Sequence, residues 1–215
     1  MATKLQLYNT ALRYCKSRKL ASLTEDREPL RLLDDVYAVD GIKTCLEEAQ
    51  WKFATRTLKL DYDTAFTRQY GFLRQFTKPT DWVKTVAVCA DEYFRAPLTH
   101  YHHEGDYWYS DLNAIYVRYV SDGVDFGNNI GAWPGTFFNY VAAYFANEIV
   151  DKLSGGDAKT MASVVKRLDD NKLTAKSKDA WNQPTAFPAP GNWVSSRSRG
   201  SRVNNDYGNR GSLIG

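Results

Sequence analysis

The sequence predicts an α+β fold: a helical bundle core with a small antiparallel β-meander inserted into it, and an extended C-terminal arm. Three observations predict it. Apolar residues recur at intervals of three and four over residues 4–56 and 136–183. Within residues 57–120, short segments instead alternate apolar and polar residues. Sixteen of the last 29 residues are Gly, Ser, Asn or Pro, so we predict a folded body over residues 1–186 and an extended basic arm over residues 187–215.

The N-terminal part is predicted to be helical. Residues 4–17 carry one apolar stripe, formed by Leu5, Tyr8, Leu12 and Cys15. Residues 24–56 predict one or two further helices, with Pro29 in a first turn and a break at Asp40-Gly41.

The β-rich insertion covers residues 57–120. Its predicted strands are Thr57–Tyr62, Trp82–Cys89, Tyr101–His103, Tyr107–Ser110 and Ala114–Val120. Turns are expected at Glu104-Gly105-Asp106 and at Asp111-Leu112-Asn113, which makes the region from residue 100 to residue 120 one small meander.

The C-terminal part of the body returns to helical spacing. Four glycines make residues 121–135 a loop, and a helix is expected over Thr136–Leu153. Gly155-Gly156 ends that helix, and Asp157 caps the next one. A last short helix is predicted over residues 172–183.

Composition excludes several classes of protein. No apolar run reaches about 18 residues, so no membrane span is expected. Residues 1–20 alternate basic and apolar residues, which is not the pattern of a secretory signal. The three cysteines, Cys15, Cys45 and Cys89, are widely spaced and are interpreted as free buried thiols in a reducing compartment. We expect no disulfide framework.

Charge is unevenly distributed along the chain. The arm holds four arginines against one aspartate, which leaves the first 186 residues with 24 basic and 24 acidic groups. A neutral body argues against a protein that coats nucleic acid over its whole surface. Residues 25–50 carry eight acids against three bases, and together with the basic segment 4–19 they could form complementary faces between subunits.

Three histidines raise the question of a metal site. His100 and His102 would lie on one face of a strand, with Glu104 and Asp106 nearby, but His103 would point the other way. No third ligand follows from the spacing. A solvated aromatic hairpin tip is the favoured interpretation, and we predict neither a metal nor a cofactor.

Other candidate chemistry is equally incomplete. Residues 154–160 lack the glycine and the strand that a phosphate-binding loop requires. A cysteine nucleophile would need a nearby histidine, and the cysteines lie on apolar faces of predicted elements, so core packing is favoured. The carboxylates Asp34-Asp35 and Glu47-Glu48 are adjacent on predicted helices, so the two side chains of each pair point in different directions. We therefore predict no catalytic residue and no enzyme activity.

Aromatic residues cluster in the meander. Base stacking would need basic residues among the rings, and only Arg118 is close, so core packing and contacts are favoured over nucleic-acid binding. The aromatic residues concerned are Tyr107, Trp108, Tyr109, Tyr116 and Tyr119.

Three stretches resemble a known family. They are LASLTEDREPLRLLDDV at residues 20–36, CLEEAQWKFATR at residues 45–56 and GNRGSLIG at residues 208–215. In this order they resemble the head-to-tail adaptors, or tail tubular protein A family, of short-tailed bacteriophages. The resemblance covers most of the chain.

The resemblance implies a structural virion protein of the neck or tail, assembled in the host cytoplasm. It implies a homo-oligomeric ring of about twelve subunits beneath the portal protein, closed by heterologous contacts. The opposite face would receive the tail nozzle or a tail fibre protein. DNA would pass through the channel without sequence-specific binding, and no membrane is involved.

Two sets of residues are expected to make these contacts. The arm is predicted to anchor the portal through Trp193, Arg197, Arg199, Arg202, Tyr207, Arg210, Leu213 and Ile214. The hairpin is predicted to contact the tail or a neighbouring subunit through Tyr101, Tyr107, Trp108 and Tyr109. Two alternatives stay open: a nucleic-acid-binding module that uses the arginine-rich arm, and a tail-associated cell-wall hydrolase.

Overall fold

The fold is mixed α+β, as the sequence predicts. The computed structural model describes residues 2–39, 41–66 and 71–182. The helices are α1 (Lys4–Tyr14), α2 (Glu28–Ala38), α3 (Gly41–Glu47), α4 (Gly135–Ser154) and α5 (Ala158–Trp181). The strands are β1 (Thr55–Asp61), β2 (Arg74–Thr77), β3 (Trp82–Cys89), β4 (His102–Glu104), β5 (Tyr107–Ser110) and β6 (Ala114–Ser121). The chain divides into two units, residues 1–182 and 183–215, and the second lies outside the described residues.

Helix α4 is the centre of the helical part. The other four helices all contact it, with α5 and α1 packed most extensively. Three alanines at 0% exposure, Ala142, Ala143 and Ala146, have small side chains that let neighbouring helices approach closely. The helix ends at Gly155, whose φ of 58° is the left-handed conformation that glycine adopts without steric cost. Asp157 then caps α5 by accepting hydrogen bonds from the Lys159 and Thr160 backbone N–H groups.

A break is predicted at Asp40-Gly41; α2 ends at Ala38 and α3 begins at Gly41, and Asp40 itself lies outside the described residues. Gly41 is required there, because a Cβ atom at this position would lie 2.6 Å from the Val36 carbonyl oxygen. Pro29 lies in the first turn of α2 as expected. At the N-terminus, Thr3 and Gln6 form a reciprocal capping box that starts α1.

Two helix predictions need correction. The helical segment predicted to reach residue 56 ends at Glu47, because the buried Trp51 indole donates to the Cys45 carbonyl oxygen and turns the chain. A single 3₁₀ turn, Lys52–Ala54, then leads directly into β1. The two helices predicted after Asp157 are one continuous helix, α5, whose mostly polar middle faces solvent.

The single meander predicted over residues 100–120 is also wrong. Strands β4 and β5 form a hairpin, but β6 leaves it and pairs with β1 and β3. The result is two antiparallel sheets. The larger sheet has the strand order β1-β6-β3, and the smaller sheet, with shorter strands, has the order β2-β5-β4. Strand β2 was not predicted from the sequence, since only Phe76 of its four residues is buried.

An aromatic and aliphatic core, separate from the helical one, is shared by the two sheets. It contains Phe76, Val88, Trp108, Ile115, Val117 and Tyr119. Three alternate residues of β6, Ile115, Val117 and Tyr119, belong to it, whereas Val120 packs into the helical core. Strand β6 therefore joins the two cores. Among the described residues, none of the helices is long and apolar enough to cross a membrane.

Candidate contact surfaces

The smaller sheet positions the aromatic residues predicted to make contacts. Strand β5 lies between β2 and β4, and its residues alternate between partly exposed and buried. The register places Tyr109 between Gln75 and His102, and Tyr107 between Thr77 and Glu104. These two cross-strand rows form the outer face of the sheet.

Trp108 points to the opposite face and is 0% exposed. Its indole N–H donates to Thr85 Oγ1 at 3.2 Å, and its ring lies 6.4 Å edge-on from Trp82. The expectation that Trp108 contributes contact area is therefore corrected: its side chain supports the sheet from inside. The alternation along β5 is the sequence signal for this difference, but it does not reveal which face is buried.

Tyr107 and Tyr109 form an aromatic strip on the outer face. Their ring centroids are 6.3 Å apart, and Phe66 packs edge-on against Tyr109 at 5.9 Å. Burial, the charge of Glu104 and the neighbouring Tyr107 together raise the pKa of Tyr109. Tyr101 is half-buried against the shared sheet core rather than on this strip.

The three histidines do not share one face. His100 precedes β4 and packs at a tilt against Phe72, with ring centroids 5.0 Å apart, whereas His102 lies on the outer face opposite Tyr109. His103 lies on the other face, where its ring meets Trp82 edge-on at 5.3 Å and its Nε2 bonds the Lys78 ammonium. Within the described ranges, no group of three or more His, Cys, Asp or Glu side chains is placed to hold a metal ion.

A polar cluster that the sequence did not suggest ties Asp81, just before β3, to the other two strands of the larger sheet. The Asp81 carboxylate accepts hydrogen bonds from Arg56 at 2.9 Å, from the Tyr119 hydroxyl at 3.1 Å and from the Ser121 hydroxyl at 2.5 Å. The three donors come from β1 and β6. Burial opposes ionisation of Asp81, but the hydrogen bonds outweigh it and hold its pKa below the usual range.

A strained loop after β3 exposes one further aromatic residue. Asp91 accepts hydrogen bonds from the backbone N–H groups of Arg95 and Ala96, which closes the loop. Phe94 adopts a φ of 55°, unusual for an aromatic residue, and the Arg118 guanidinium stacks on its ring at 4.3 Å. Tyr93 projects from the tip and is 70% exposed.

A groove of about 470 Å³ lies where the start of α4 meets the end of α5. Its lining includes the aromatic residues Trp51, Phe53 and Phe137 and the polar residues Lys178 and Asn182. Asp179, also at the groove, accepts a hydrogen bond from the Lys52 backbone N–H at 3.2 Å, and burial raises the pKa of this carboxyl.

The cysteines that were considered as nucleophiles are buried, and the carboxylate of Asp34 is paired within the fold. Cys15, Cys45 and Cys89 are free and buried, as predicted. Burial raises the pKa of Cys15 to about 11 and that of Cys45 to about 12, so neither thiol ionises at neutral pH. Asp34 accepts from Tyr8 at 2.7 Å and pairs with Lys4 at 2.8 Å.

Several charges that were expected to pair between subunits are paired inside the subunit. Besides the Lys4–Asp34 pair, Glu48 binds Lys172 at 2.7 Å and Lys176 at 3.0 Å. These contacts join α1 to α2 and the end of α3 to α5. Part of the predicted charge complementarity therefore stabilises the fold.

The predicted portal-binding residues cannot be placed, because they all lie outside the described residues: Trp193, Arg197, Arg199, Arg202, Tyr207, Arg210, Leu213 and Ile214. No protein-family model matches the chain, and no curated protein is significantly similar to it.

Proposed function

We propose that this protein is a structural subunit of a head-to-tail adaptor ring, which joins a phage portal to its tail and surrounds the DNA exit channel. One observation carries the proposal beyond the resemblance in sequence. The two longer stretches that resemble the adaptor family meet in one hydrophobic core: Leu30 and Leu33 come from the first, and Cys45, Leu46 and Trp51 from the second. They therefore belong to one structural unit.

In this proposal the five helices form the bundle core of the subunit. The two sheets are inserted between α3 and α4 and share a core of their own, which β6 joins to the helical core. Such a division suits a ring subunit, because one part can maintain the ring while the other contacts the next component. The aromatic strip of Tyr107 and Tyr109 is the surface we assign to a tail nozzle, a tail fibre protein or a neighbouring subunit.

The ion pairs within the subunit reduce the number of acidic side chains that are left for contacts between subunits. With Asp34 and Glu48 paired internally, the exposed carboxylates of the acidic segment that form no ion pair among the described residues are Glu28, Asp35 and Glu47. We propose that basic residues of a neighbouring subunit, Arg18 and Lys19 first, face them. Such contacts weaken with added salt.

Assembly is the direct test. The purified protein should be a monomer or small oligomer by native mass measurement, and should form a closed ring when it is mixed with portal rings. Y107S/Y109S should stay folded but lose ring closure or tail binding. Y93S removes an exposed tyrosine from another loop and serves as the control. An unchanged assembly of the double variant would remove the contact role from the strip.

The arm has its own test. A chain that ends at Ala186 should stay soluble and folded, and should fail to bind DNA-free portal. Docking at full strength would exclude the arm as the anchor. Salt-dependent binding of the isolated arm to unrelated DNA, without portal binding, would favour the nucleic-acid-binding alternative.

A further inference from the structure

Lys78 is a buried lysine in the connection between β2 and β3, with an exposure of 7%. Its backbone N–H donates to the Asp106 carbonyl oxygen at 2.9 Å, and its ammonium donates to the Gly105 carbonyl oxygen and to His103 Nε2. The ammonium also lies 4.1 Å from the centre of the Trp82 ring. Lys78 therefore connects both β4 and the β4–β5 turn to the segment between β2 and β3.

The bond to His103 requires one protonation state. An ammonium group has only donors, so His103 Nε2 accepts, and the ring must be neutral with its proton on Nδ1. Protonation of Nε2 would replace this hydrogen bond by two cations in contact. The His103 side chain remains solvent-exposed, so a proton reaches it while the strand is still paired.

We propose that Lys78 and His103 form a pH-sensitive latch, which holds strand β4 in the smaller sheet at neutral pH and releases it on acidification. Strand β4 has three residues, all exposed, and pairs with β5 alone. Few other contacts oppose its release, as expected of a segment that opens locally. Because His102 and Glu104 lie opposite Tyr109 and Tyr107, opening would also remove one side of the aromatic strip.

The charges around the latch set the direction of the pH effect. Burial lowers the pKa of His103, and the charges of Lys78 and His102 lower it further. Burial also lowers the pKa of Lys78, while Asp106 opposes this and favours the charged ammonium. From β3 and β5, the groups that face the latch are the uncharged rings of Trp82 and Trp108.

The sign follows from linkage. A histidine whose pKa is depressed in the folded state binds fewer protons there than in the open state. Its stabilisation is complete above the ordinary histidine pKa of about 6.5 and is lost as the pH falls below that value. Carboxylic acids ordinarily titrate near pH 4, below this window, so an opening between pH 7 and pH 5 is attributed to histidine.

Amide hydrogen exchange of the full-length protein between pH 7.5 and pH 5 tests the latch without any ring assembly. After correction for the intrinsic pH dependence of exchange, protection in β4 and β5 should fall by about tenfold, the size expected when a hydrogen bond to a charged group is lost. Protection in β6 should stay constant. The ring signals of His103 should titrate with the same midpoint.

Two glutamine variants separate the latch from its surroundings. H103Q keeps an acceptor but does not titrate, so its hairpin should stay protected at pH 5. H102Q removes the neighbouring histidine on the outer face and should open as the wild type does. Equal opening of H103Q and wild type would overturn the proposal. If H103Q does not fold, titration of His103 in the wild type without loss of hairpin protection overturns it equally.

Discussion

Arg56 at the start of β1 and Asp81 before β3 form an ion pair of 2.9 Å. These strands do not pair with each other, because β6 lies between them. The pair therefore bridges two strands across a third. The hydroxyls of Tyr119 and Ser121, on that middle strand, donate hydrogen bonds to the same Asp81 carboxylate. The strand β6 that joins the two cores is fixed at this point.

Asp81→Asn should lower the free energy of unfolding by about 2–3 kcal/mol, because it leaves three donors without their charged acceptor. Urea denaturation at pH 7 measures this. The matched control is Asp61→Asn, since Asp61 and its partner Lys59 are both exposed. The same loss in both variants would contradict a special role for Asp81.

The Asp81 cluster also predicts an acid limit of stability. A carboxyl whose pKa is depressed in the folded state stabilises the protein above its unfolded pKa of about 3.9, and this contribution disappears as the pH falls through the folded value. The destabilisation caused by Asp81→Asn should therefore shrink as the pH is lowered from 5 towards 2. A difference that does not change with pH would show that ionisation of Asp81 is not its cause.

Gly41→Ala should destabilise the protein by about 1–3 kcal/mol, because the new Cβ would press on the Val36 carbonyl oxygen at 2.6 Å. Gly135→Ala is the control, since a Cβ at that position meets no atom within 4 Å. It should leave stability unchanged or raise it by a few tenths of a kcal/mol. Thermal unfolding of both variants distinguishes steric fit from a general effect of removing glycine.

Because the three cysteine thiols are buried, we expect thiol reagents to modify the folded protein slowly. At pH 7 the folded protein should react with a thiol reagent far more slowly than in denaturant, where all three cysteines become accessible. Rapid modification of the native protein, measured by mass spectrometry, would contradict their burial. The site of any fast reaction would identify the cysteine concerned.

Trp108→Ala should cost about 3–5 kcal/mol, since Trp108 is fully buried in the core shared by the sheets. Tyr107→Ser on the opposite face should cost less than about 1 kcal/mol. Chemical denaturation of the two single variants measures the difference. Similar costs would show that the two faces of β5 are not distinct.

Local patterns predicted much of this fold. The bounds of β3 and β5 match the sequence pattern, as does the cap at Asp157, because each depends on neighbouring residues. The pairing of β6 could not be predicted in the same way. Its partner β1 lies more than fifty residues earlier, and the turn at Asp111–Asn113 looks the same whether β6 continues a meander or joins another sheet.

The candidate surfaces were predicted less completely. Aromatic composition identified the hairpin, but the burial of Trp108 depends on Phe76 and Thr85, which come from strands that the sequence places far away. The Lys78–His103 contact is also nonlocal, since its members are 25 positions apart in the chain. A lysine beside a proline in a loop gives no local sign that its ammonium will be buried.

Particle-averaged electron microscopy of portal rings, with and without this protein, tests the adaptor proposal most directly. The proposal predicts a closed ring of added density beneath the portal, coaxial with its channel, with α4 and α5 in the ring and the two sheets projecting from it. Bare portal rings beside a protein that stays monomeric at saturating concentration would contradict it.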